Sequence, residues 1–97
     1  MAVKFATARQ MLSAYLNQDF DVIFGTADDA IRQFIAHSSP CEVATAIGDI
    51  LAILAMRLSE PDLESLIVGK LGCCYTYLAD WPSGDAWLEH IVKLLRS

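Results

Sequence analysis

Ser39-Pro40-Cys41-Glu42, leading into the run Val43-Ala44-Thr45-Ala46-Ile47-Gly48-Asp49-Ile50-Leu51-Ala52-Ile53-Leu54-Ala55-Met56-Arg57-Leu58, decides how this chain is read. A serine whose hydroxyl can accept an orphan N–H, a proline suited to the first helical position and a glutamate at N3 together make a capping box. A helix therefore starts there. Its body is apolar almost all round, with Glu42, Thr45 and Asp49 as a narrow polar stripe, so it is expected as a buried central helix. Asp49, Glu42 and Arg57 interrupt or bound the run below the ~20 apolar residues needed to cross a bilayer.

The flanking segments read as further helices. On the amino-terminal side, Phe5, Ala8, Leu12, Tyr15 and Leu16 form one apolar stripe, with Lys4, Arg9, Gln10, Ser13 and Asn17 opposite. That helix is expected to stop near Gln18, because Asp19-Phe20-Asp21-Val22-Ile23-Phe24-Gly25 has no helical stripe and reads as a loop. Thr26 then offers a capping hydroxyl, and Asp28 and Asp29 lie where the helix dipole favours negative charge, with Ile31, Phe34 and Ile35 facing inward. On the carboxyl-terminal side, Ser59-Glu60-Pro61-Asp62 repeats the start signal for a shorter helix that turns Leu63, Leu66 and Ile67 inward and ends near Gly69. Leu71 to Trp81 reads as a structured connection with room for a short strand. A last helix runs from about Gly84 to Leu95, burying Trp87, Leu88, Ile91, Leu94 and Leu95, with Glu89 and Lys93 paired outside.

The expected fold is thus all-α: a compact bundle of about five helices over residues 1–97 as one domain, with an irregular connection before the last helix. A chain of 97 residues supports one core. At 55% hydrophobic and 20% charged it lies far from the disordered regime. Lys4, Arg9 and Gln10 near the start, with no apolar stretch and cleavage site behind them, point away from a secretory signal and towards the cytoplasm. Three cysteines, two of them adjacent, make no disulfide framework. A net charge of −5 argues against direct nucleic-acid binding and suits a basic partner.

Chemistry-bearing patterns are scarce. His37 and His90 are solitary and read as surface helix residues, and Cys73-Cys74 lacks the spacing of redox or zinc sites and reads as buried structural thiols. Asp19-x-Asp21 fails as a calcium loop, because Ile23 and Phe24 stand where ligands belong. No phosphate loop or nucleophile elbow occurs, so no enzyme, cofactor or metal is indicated. Charge layout is more informative: Asp19, Asp21, Asp28 and Asp29 crowd a stretch with no basic residue, and Glu60, Asp62 and Glu64 form a second acidic cluster. Helix N-termini that favour negative charge account for much of this; a docking face for a basic partner also does.

Tyr15-Leu16-Asn17-Gln18-Asp19-Phe20-Asp21, the acidic helix start and Ile31-Arg32-Gln33-Phe34-Ile35 resemble the small immunity proteins of bacterial contact-dependent growth inhibition systems. Cys74-Tyr75 and Trp87-Leu88 look like the end of the same family, so the resemblance spans about Leu12 to Leu95. It implies a cytoplasmic antidote that binds the carboxyl-terminal toxin domain of a cell-surface exoprotein, often a nuclease. On that reading the acidic loop Asp19 to Asp29 is the first candidate binding face. Glu60, Asp62, Glu64, Tyr77 and Trp81 come next. The alternatives are a helical adaptor or dimerisation module, which keeps a second copy of the chain among the open partners, and a thiol sensor using Cys73-Cys74.

Overall fold

A computed structural model describes residues 5–17 and 25–96 of the chain. Among the described residues the α-helices are α1 (Ala6–Tyr15), α2 (Ala27–His37), α3 (Pro40–Ala55), α4 (Glu60–Glu64) and α5 (Gly84–Arg96). A π-helical turn, Ser65–Lys70, prolongs α4, and a 3-10 turn, Tyr77–Ala79, precedes α5. No strand occurs among the described residues; the connection is a bent segment held by backbone bonds at Cys73 and Cys74 and by the Tyr75 and Tyr77 hydroxyls. None of the described helices is long and apolar enough to cross a membrane. Asp19 and Asp21, and the loop expected around them, lie outside the described residues.

The start signals act as their chemistry dictates. Ser39 Oγ accepts the Glu42 N–H at 3.1 Å, and the Glu42 carboxylate accepts the Ser39 N–H at 3.1 Å, closing the capping box on α3. Thr26 Oγ1 accepts the Asp29 N–H at 3.1 Å at the head of α2. Helix α1 has no cap of its own: Phe5 before it is left-handed, with φ 59°, and makes no side-chain cap. Instead Asp49, on α3, accepts the Ala8 N–H at 3.1 Å, and past the other end the Cys74 N–H donates to the Leu16 carbonyl at 2.8 Å.

The greasiest helix is not the central one. Only Ala46, Ile50 and Ile53 of α3 are fully buried, while Leu51 and the following Met56 remain 41% and 47% exposed and Ala44, Gly48, Ala52 and Ala55 face solvent. With apolar residues on both faces, periodicity could not choose between them, and small side chains stay in water at little cost. The central role falls to α5, which packs on α2, α3 and α4 and buries Trp87, Leu88, Ile91, Val92 and Leu95. Trp87 anchors the aromatic centre: the Tyr77 ring stacks on it at 5.4 Å and 3°, and the Tyr75 ring lies 5.3 Å away.

Candidate functional site

The first turn of α2, the segment Tyr75–Trp81 and the middle of α5 meet at one corner of the bundle. Asp28 projects from α2 towards α5, and both its oxygens lie 2.9–3.0 Å from His90 Nε2. An ionised carboxylate only accepts, so the ring's Nε2–H is the donor shared between them. Trp81 covers the imidazole, with ring centroids 4.7 Å apart. On the adjoining segment the Tyr75 hydroxyl donates to Asp80 at 2.6 Å. Burial, and that bond to a carboxylate which an ionised phenol would repel, push the Tyr75 hydroxyl above its ordinary range. Asp29 pairs with Arg32 at 3.1 Å, both well exposed.

Asp28, Asp29, Arg32, Tyr75, Asp80 and Trp81 line a concavity of about 650 Å³. Three carboxylates and an indole stand together here, with Asp28 on His90, Asp29 on Arg32 and Asp80 on the Tyr75 hydroxyl; acids beside an aromatic ring are groups that attract a lysine or arginine. Recognition is the chemistry this arrangement supports.

Of the residues singled out from sequence, Asp28, Asp29 and Trp81 come together here. Glu60 does not: it faces inward, accepting the Tyr77 hydroxyl at 2.8 Å and the Gly84 N–H at 2.9 Å. Tyr77 is not the exposed residue expected: it is 1% exposed and stacked on Trp87, so it offers a partner at most an edge of its ring. Its burial and its bond to Glu60 raise the phenol's pKa well above the ordinary range. Asp62 and Glu64 are exposed on α4 and do not line the concavity. Sequence reasoning missed Arg32, Tyr75, Asp80 and His90. Asp80 and Tyr75 flank the 3-10 turn and could have been paired through it, but nothing local signals the meeting of Asp28 with His90, 62 residues away. His90 is therefore a half-buried, bonded residue and not a plain surface histidine. Of the adjacent thiols expected to be buried, Cys73 is and Cys74 is exposed.

The corner is an acidic patch on a helical bundle, with an indole in its lining. A family model described as CdiI immunity protein matches residues 4–95. A chain of the crystal structure of the CdiA-CT/CdiI complex from Y. kristensenii 33638 superposes with a TM-score of 0.92 at 33% identity, over 96% of this chain and 99% of that one. No curated protein matches the chain. The chain belongs to the CdiI immunity protein family.

Proposed function

We propose that this protein is an immunity protein of contact-dependent growth inhibition, which binds the carboxyl-terminal toxin domain of its cognate exoprotein and neutralises it by stoichiometric occupation. The observation that carries this reading is the near full-length likeness, at 33% identity, to a chain taken from a toxin–immunity complex. The acidic concavity at Asp28, Asp29, Asp80 and Trp81 supplies the matching chemistry. A nuclease is the toxin class it suits best, because a cleft that binds phosphate backbones is basic, and carboxylates aimed at it imitate the substrate's charge. Such an inhibitor acts in the cytoplasm, where a nuclease toxin meets nucleic acid, and needs no catalytic residue of its own.

The test is binding and protection with the carboxyl-terminal toxin domain of the cognate exoprotein. Wild type should bind it, stop its nuclease activity and restore growth to cells expressing it. Asp29→Lys with Asp80→Lys should slow association by about tenfold or more at low salt and flatten the salt dependence, since rim charges act chiefly on encounter. A toxin domain that neither binds nor is silenced would sink the reading. One that is bound and silenced but cuts no nucleic acid would remove the nuclease assignment alone.

The rival, an adaptor or dimerisation module, has one observation in its favour: the uncharged outer face of α3, with Leu51 and Met56 exposed. Analytical ultracentrifugation of wild type and Leu51→Glu separates the two. Dimerisation lost in the variant, with no toxin binding by either protein, would favour the rival.

A further inference from the structure

A second cavity, of about 480 Å³, lies between the π-helical turn and the segment that follows it, lined among others by Glu64, Val68, Cys74, Tyr77 and Leu78. Tyr75 lines both this cavity and the acidic concavity, so the two lie on either side of one residue. Its walls are fixed. Tyr77 is clamped between Trp87 and the Glu60 carboxylate, and the Cys74 backbone is tied to Leu16. Between them Gly72 turns the chain at φ +73°, so close to α1 that a Cβ there would stand 3.1 Å from that of Ser13. The opposite wall is a π-turn, with the Leu71 N–H reaching back to the Leu66 carbonyl, a geometry that recurs at functional sites. Val68 and Leu78 flank the opening at 46% and 40% exposure, two of the four large hydrophobic residues exposed among the described ones.

Building on the toxin-binding reading above, we infer that this groove receives one apolar side chain of the toxin domain, the size of Leu, Met or Phe. That residue stands on a basic segment whose neighbouring Lys or Arg meets Glu64 on one side and the Asp28–Asp29–Asp80 concavity on the other. At about 480 Å³ the groove has room for such a side chain together with part of the segment that carries it. A preformed apolar slot beside a charged rim is also how interfaces concentrate binding energy: the anchor desolvates fully while the rim steers and excludes water. Because the walls are already held, little ordering cost falls on binding. Charge selects this occupant over a second copy of the chain, which would bring −5 of its own against an acidic rim.

The experiment uses the full chain and the carboxyl-terminal toxin domain of the cognate exoprotein. Val68→Ser and Leu78→Ser are uncharged changes at exposed positions, so the fold, checked by circular dichroism, and the association rate should hold. Dissociation should quicken by about tenfold or more. Cys74 serves as a built-in probe, with Cys41, exposed at the head of α3, as its control. In the complex, N-ethylmaleimide should label Cys74 at least about tenfold more slowly while Cys41 keeps its rate, and protein labelled at Cys74 beforehand should bind more weakly. Binding that leaves both serine variants and Cys74 labelling unchanged overturns this assignment and spares the toxin-binding reading. Variants that alter only self-association give the groove to a second copy and overturn it too. Absence of any wild-type binding overturns both.

Discussion

One oxygen of Glu60 accepts the hydroxyl of Tyr77 at 2.8 Å while the other accepts the backbone N–H of Gly84 at 2.9 Å. A single side chain at the head of α4 thereby caps α5 and orients the ring that stacks on Trp87. Glu60→Ala would leave a buried hydroxyl and a helix-end N–H without partners, at a cost of about 2–4 kcal/mol, whereas Tyr77→Phe should cost only about 1 kcal/mol. Urea melts of both single variants and the double variant measure this. A double variant as costly as the sum of the singles would show that the two residues are not coupled.

Two glycines should respond to alanine with opposite signs. At Gly48, on the outer face of α3, an added Cβ meets nothing within 4 Å, so Gly48→Ala should stabilise by about 0.5–1 kcal/mol. At Gly84 it would lie 2.5 Å from Leu63 Cδ2, a side chain buried in the core, so Gly84→Ala should cost about 1–3 kcal/mol despite its better helix propensity. Thermal melts of the pair are the check, and equal signs would refute the packing at one of them.

Trp87 is 1% exposed and touches two tyrosine rings. Trp87→Ala should cost about 3–5 kcal/mol, a large share of what a domain of this size has. A loss below about 1 kcal/mol in denaturant melts would contradict its core position.

Burial pushes the Cys73 thiol from its ordinary 9.0 up to about 12. The folded protein holds this thiol protonated where the unfolded chain would ionise it. The contribution is therefore intact below pH 9 and is lost as pH rises from there to about 12. Stability should fall through that window, and Cys73→Ala should flatten the fall. At pH 8 a thiol reagent should titrate Cys41 and Cys74 in the native protein and reach Cys73 only in urea. Equal labelling of all three would contradict the burial.

Much of the scaffold was legible because its signals are local. The reciprocal hydrogen bonds of Ser39 and Glu42, the Thr26 cap and the apolar stripe of α5 each follow from residues within a turn or two of one another. What failed was whatever depended on distant parts of the chain. Glu60 reads as an acid at a helix start, yet its oxygens serve Tyr77 and a different helix. The run Val43–Leu58 reads as a core because hydrophobicity records what could be buried and not which neighbours arrive to bury it. At the candidate site Asp28 and Trp81 stood out by type, but the imidazole that joins them came from α5.

Helix α1 is latched at both ends by chain that comes much later, its Ala8 N–H by Asp49 and its Leu16 carbonyl by the Cys74 amide. During synthesis it therefore emerges ahead of its latches and has to wait: the segment that closes its far end follows 58 residues behind. Lone helices of such length are marginal in water, so α1 should dock late, after α3 and α5 have met. Changes such as Leu12→Ala would then speed unfolding far more than they slow folding, and the half-life of the folded protein would be set by its first ten helical residues.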